Sequence, residues 1–212
     1  MLDMDYVFYY LRKEGFEIKS LAHLGANYAQ GRNLYVRNGI DKILWVEAIP
    51  SIVDTLKQDL SNESDLVLQG VLSNASGEKV NFKIASNNSM SSSIYEFKHH
   101  VDQYPNIEMI DKISLTTTTL DDLMKENSIT FDYDVAVLDL QGSDLNALRG
   151  ASCLLQRSIA VAVEVSCIEL YENAPLEAEV DAFMHEQGFR KELSDYTQYG
   201  WGETLYVKRA AT

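Results

Sequence analysis

The chain has 212 residues, of which 46% are hydrophobic, and a mean hydropathy of −0.18, the profile of a soluble globular domain with room for a sizeable core. Its net charge of −14, from 18 Lys and Arg against 32 Asp and Glu with no strongly basic block, argues against DNA or RNA as the main substrate, because phosphate binding draws on a positive footprint. No apolar run approaches the roughly 18 residues that cross a bilayer, and the acidic opening MLDMDYVFYYLRKEG lacks the basic flank of a secretory signal. A single cytoplasmic domain over 1–212 is expected. Cys153 and Cys167 fall in predicted core segments without metal-ligand spacing, and are expected as buried small residues in a reducing compartment.

Tyr6, Val7, Tyr10 and Leu11 recur at helical spacing before Gly15, predicting a helix that caps the sheet. Residues 20–24 read as a strand, Gly25-Ala26-Asn27 as a tight turn, and 29–38 as a crossover helix stopped by Gly39. A short buried strand at 43–46 ends in Glu47. Pro50 opens a helix to residue 60, since proline is welcome in a first turn, and 65–72 is the third strand. Residues 79–85 alternate polar and apolar as a half-exposed antiparallel strand does.

The loop at 86–93, SNNSMSSS, has a linker's composition, yet long loops between two ordered strands are usually functional or disordered. After a strand at 111–117, Thr118 or Thr119 caps the helix LDDLMKEN. The apolar run 134–140 reads as a central parallel strand, 145–155 as a helix, and 159–165 as a buried strand carrying Glu164. An amphipathic helix at 175–187 precedes strands at 189–193 and 204–208, joined through SDYTQYGWGE. Strand and helix alternate, so the fold class is α/β: about seven principal strands, mostly parallel, with a closing antiparallel hairpin and helices on both faces.

The turn after the first strand would let a ligand approach the backbone, and Glu47, about twenty residues on, is placed to hydrogen-bond ribose hydroxyls. A dinucleotide fingerprint needs three glycines, whereas Gly25 is followed by Ala26, Asn27 and Ala29. A pyrophosphate is therefore poorly served, and a ribose ligand without phosphates, such as S-adenosylmethionine, fits better. Functional residues gather at the carboxyl ends of strands, which sets Asp139 and Gln141 beside the same crevice. Glu164, costly to bury in an apolar run, is a further candidate.

Four stretches then occur in order over nearly the whole chain: HLGANYAQ with WVEAIP; SMSSSI with KHH; TTTTLDDL with VAVLDLQGSDLNALRGA; and VEVSCIELYENAPLEAEVDAFMHEQGF ending in YGWGETLYVK. Together they resemble the FkbM-type methyltransferases, a branch of the class I S-adenosylmethionine-dependent enzymes. The resemblance implies a Rossmann-like sheet, S-adenosylmethionine as cofactor, and methyl transfer to a hydroxyl of a sugar, glycan or related small acceptor. By position it implies that Gly25, Ala26 and Asn27 face the methionine part and that Glu47, with its neighbour Ala48, binds ribose. Val71 and Leu72 would flank adenine, and Asp139 and Gln141 would face both cofactor and acceptor. His23 stands where many class I enzymes carry an acidic residue near the methionine amino group.

A hydroxyl is weakly nucleophilic, so a general base or a metal would help. His99, His100, Asp139 and Glu164 are the candidates. The two carboxylates suit a divalent cation, although their separation gives no ligand spacing. Two alternatives stay open: a degenerate S-adenosylmethionine-binding module, and a nicotinamide-dependent dehydrogenase, against which the missing glycines count.

Overall fold

Alternate residues of a strand face opposite ways, and in the computed structural model the apolar residues of the central strands divide accordingly between two cores. The structure describes residues 2–60 and 64–208. In chain order the elements are α1 (Met4–Lys13), β1 (Ser20–Leu24), α2 (Arg32–Arg37), β2 (Lys42–Glu47), α3 (Pro50–Asp59), β3 (Asp65–Gln69), β4 (Val71–Leu72), β5 (Lys79–Ala85) and α4 (His100–Gln103). They continue as β6 (Met109–Thr118), α5 (Leu120–Glu126), β7 (Val135–Leu138), α6 (Asp144–Arg149), α7 (Ser152–Arg157), β8 (Ala160–Ser166), α8 (Glu177–Glu186), β9 (Phe189–Tyr196) and β10 (Trp201–Lys208).

The main sheet has seven strands in the order β3-β2-β1-β7-β8-β10-β9. The first five are parallel, and β10 runs antiparallel to both β8 and β9. Leu24, Leu44, Leu138 and Val163 point to one face, where α5 to α8 bring Leu120, Leu148, Leu154 and Met184. Leu21, Ile43, Val135 and Ala162 point to the other, under Phe8 of α1, Tyr35 of α2 and Ile52 of α3. Each large apolar side chain fully buried in this way contributes about 1.5–3 kcal/mol. Among the described residues no helix is long and apolar enough to cross a membrane.

Several boundaries differ from the sequence reading, each for a local reason. The crossover helix begins at Arg32 rather than at 29, because Asn27 and Ala29 take positive φ (42° and 52°) and continue the turn. The predicted strand 65–72 is two strands: the chain leaves the main sheet at Gly70, where a Cβ would crowd Leu123 and Thr118, and β4 joins β6 and β5 in a separate three-stranded sheet. The predicted helix 145–155 breaks at Gly150, whose missing side chain lets the Ser73 carbonyl approach, and Asp121 then accepts the Ser152 and Cys153 N–H groups at the start of α7. The last two strands reach Tyr196 and Trp201, so the hairpin turn is much shorter than expected.

The cysteines are a correction of another kind, since both are exposed. Cys153 falls on the outer side of the short α7, and Cys167 lies beyond the end of β8 with its thiol on Glu177. The Asp121 charge raises the Cys153 thiol and the hydrogen bond to Glu177 raises that of Cys167, so neither is an activated nucleophile.

Candidate active site

The register of the main sheet builds the site. Leu24 pairs with Val46 and Leu138, Leu138 with Val163, and Glu164 with Glu203. One residue beyond these pairs, Glu47, Gly25, Asp139 and Glu164 fall in a row across the carboxyl ends of the parallel strands, and Glu203 of β10 extends it. The row borders a cavity of about 800 Å³.

At one end the backbone turn dominates. Both Gly25 and Ala26 donate to the Val46 carbonyl at 2.9 Å, and Gly25 sits at φ +91°. A Cβ there would collide with the Asp139 carbonyl oxygen, so only glycine lets β1 and β7 stay paired. Glu47 is buried, and its two oxygens accept the Asn27 and Ile49 N–H groups at 2.8 Å each. Burial raises its carboxyl, and those N–H groups pull it back. Ala48, Val71 and Leu72 line the same end.

His23 faces the cavity from below this row, stacked on Trp45 at 5.3 Å with Nδ1 2.9 Å from the Tyr35 hydroxyl. Burial pushes its imidazole down to about 4. It is therefore neutral at pH 7 and brings no charge to this part of the cavity.

The opposite end is assembled from distant segments. Gln141, at φ +51°, donates from Nε2 to Asp139 (2.5 Å) and to Glu164 (2.9 Å), and its Oε1 accepts from the Tyr171 hydroxyl at 2.5 Å. Burial, followed by the Asp139 charge, raises Glu164 well above the ordinary range, and burial raises Asp139 too. Gln141 bridges the two carboxyl groups, and their shared burial favours a proton on the pair. Behind them, Asp144 is pushed up to about 7, by burial and then by the Asp139 charge.

The serine loop is ordered against this end rather than loose. Ser91, Ser92 and Ser93 are buried; Ser92 accepts the Ala85 N–H at 2.9 Å and Ser93 donates to the Gln141 carbonyl at 2.8 Å. His100 is buried against Phe97, their rings parallel at 4.0 Å, with Nε2 3.1 Å from Ser91 Oγ. Its Nδ1 is enclosed and has no partner among the described residues, and burial lowers the imidazole.

The predicted residues thus gather around one cavity, with one exception. His99 lies outside it, half exposed and paired with Asp102 at 2.9 Å. Sequence reasoning did not single out Glu203, Tyr171 or Asp144. Glu203 sits inside the stretch read as a turn, and only its pairing with Glu164 brings it to the site. Asp144 was visible three residues past Gln141 but announced nothing by itself. Among the described residues no group of three or more His, Cys, Asp or Glu side chains is arranged to hold a metal ion.

A seven-stranded sheet ending in an antiparallel hairpin, with its cavity at the carboxyl ends of the parallel strands, defines the class I methyltransferase type of Rossmann-like fold. Among the solved structures that share it are two methyltransferases. Magnesium protoporphyrin IX methyltransferase from Synechocystis PCC 6803, with S-adenosylmethionine bound, is 10% identical; the match covers 97% of this chain and 77% of that one, with a TM-score of 0.52. The methyltransferase domain of bacterial CtHen1 is 14% identical over 97% and 96% of the two chains, also at 0.52. No curated protein matches. The model of the methyltransferase FkbM domain matches residues 22–191, and the chain belongs to that family of S-adenosylmethionine-dependent methyltransferases.

Proposed function

We propose that the protein transfers a methyl group from S-adenosylmethionine to a hydroxyl oxygen of a sugar, glycan or related small hydroxylated molecule. The supporting observation is that one cavity joins Glu47, a carboxylate fixed at the end of β2, to His100, a buried imidazole with a free nitrogen. The donor set suits this cofactor: a carboxylate for the ribose, apolar Val71 and Leu72 for the adenine, and among the described lining residues no Lys or Arg such as a pyrophosphate would require.

When bound, the cofactor supplies a methyl already activated on a sulfonium, so the chain's task is largely to orient the acceptor and exclude water. Each Glu47 oxygen has a lone pair left for a ribose hydroxyl after accepting its backbone N–H. Asp139, bridged to Glu164 through Gln141, would hold a carboxylate toward the cofactor's positive charge. His100 lines the cavity with Nε2 against Ser91; its Nδ1 is enclosed, so a side-chain shift must open it to the acceptor before it takes the hydroxyl proton as the new oxygen–carbon bond forms. The cation-free lining favours a small acceptor over a nucleic acid. The free, exposed thiols suit a reducing compartment, and we place the enzyme in the cytoplasm.

Calorimetry with S-adenosylmethionine and with NAD tests the cofactor, and Glu47→Gln tests its seat. The amide turns a donor toward a ribose hydroxyl or a backbone N–H. With about 1.5–3 kcal/mol at stake per charged hydrogen bond, S-adenosylmethionine affinity should fall about 10- to 100-fold. Unchanged affinity in the variant, or NAD bound in place of S-adenosylmethionine, would sink the reading. A labelled methyl recovered as an alkali-stable ether identifies the oxygen acceptor.

A further inference from the structure

Resting on that reading, we propose that the acceptor carries a protonated amine beside its hydroxyls, seated between Glu203 and Glu164 on one side and the rings of Trp201 and Tyr104 on the other.

Trp201 and Glu203 are two residues apart on β10 and so share a face, and Glu203 is the cross-strand partner of Glu164. The Leu2 N–H donates to Glu203 at 2.7 Å, which fixes one of its oxygens. The Trp201 indole N–H donates to Gln103 at 3.1 Å, and Tyr104 meets the indole edge-on at 6.5 Å. Trp201, Tyr104, Glu203 and Glu164 line the same cavity as His100, and Tyr104 lies 5.2 Å from the His100 ring. Carboxylates and aromatic faces attract the same kind of ligand group, a cation, and an organic ammonium satisfies both at once.

The charge balance points the same way. Asp139, Glu164 and Glu203 line the cavity together, and among the described residues no Lys or Arg lines it with them. Burying carboxylates together is costly: burial and then the Asp139 charge raise Glu164, and burial raises Glu203, with the Leu2 N–H and the amino-terminal charge offsetting part of that while the Asp139 charge adds to it. A cation delivered by the ligand relieves that cost, whereas a phosphate or carboxylate would add to it. Glu203 lies two strands beyond Asp139, about 10 Å at the usual strand spacing, which leaves room between them for a ligand group.

The test uses the full chain loaded with S-adenosylhomocysteine and titrated calorimetrically with methyl glucosaminide, methyl glucoside and methyl glucuronide. The glucosaminide should bind at least about tenfold more tightly than the glucoside, and the glucuronide most weakly. Glu203→Gln, which still accepts the Leu2 N–H, should erase the preference while S-adenosylhomocysteine affinity stays put; Trp201→Leu should reduce it separately. Equal binding of the first two sugars, a preference for the glucuronide, or no binding by any of the three overturns the proposal. So does a loss of S-adenosylhomocysteine affinity in Glu203→Gln, which would assign that carboxylate to the cofactor. The cofactor product is titrated first, so wild-type protein that fails to bind it reveals a failure of the methyltransferase reading itself.

Discussion

At the Glu47 end of the cavity the central carboxylate already holds a backbone N–H on each oxygen, whereas at the His100 end a buried nitrogen has no partner among the described residues and several carboxylates share one space. The first end is made by one strand, turn and strand in succession. The second needs side chains from the serine loop, α4, the segment after β8 and the start of β10. A site built from backbone fits a ligand that never changes, and a site built from side chains can be altered residue by residue for a particular acceptor. Stability should therefore reside in the first end and selectivity in the second.

Gly25→Ala is the hardest blow to the first end. The new Cβ would meet the Asp139 carbonyl at a position held at φ +91°, and backbone cannot swing aside as a side chain can. Relief requires opening β1 from β7, so we expect a loss of about 3 kcal/mol or more in unfolding titrations and no measurable S-adenosylmethionine binding. A variant that stays stable and binds normally would show that the turn is not the rigid half of the site.

The two histidines probe the other half. His100→Gln should lower kcat by about 10²- to 10⁴-fold with cofactor affinity held within about twofold, and His99→Ala should change neither. Burial lowers His100, which must be unprotonated to act, so the acid limb of the pH–rate profile should lie below the ordinary histidine value of about 6.5. A limb above that value, or equal losses at both positions, would remove His100 from the proton transfer and leave positioning to carry the step.

The same contrast explains what could be read from the chain beforehand. Strand-helix alternation and buried apolar runs gave the sheet, because periodicity reports which face is covered. Glu47 was legible at a fixed distance from Gly25, since local geometry sets both. The breaks at Gly70 and Gly150 were not, because each answers to a remote partner, Leu123 with Thr118 in one case and the Ser73 carbonyl in the other. Neither the enclosure of His100 nor the exposure of His99 could be told from two adjacent identical letters; which one faces inward depends on the short α4 packing against Phe97 and Tyr171. Glu203 was hidden for the same reason, since only the antiparallel register sets it beside Glu164.

The smallest expected effect is also the most direct measure of charge at the acceptor end. Glu164 binds its proton more tightly in the folded chain than in the unfolded one, because burial and then Asp139 raise it. Its contribution to stability is therefore fully present below the unfolded value of about 4.3 and is lost as pH rises through the folded one. Glu164→Gln keeps the shape, can donate to Asp139 and accept from Gln141, and cannot ionise. Its melting temperature should match or fall slightly below wild type near pH 4 and exceed it near pH 8, by about 2–4 °C for each kcal/mol released in a chain of this size. A difference between the two proteins that stays constant across that range would mean that Glu164 titrates alike in the folded and unfolded chains. The acceptor end would then hold no unbalanced charge, and the contrast between the two halves would reduce to one of backbone against side chain.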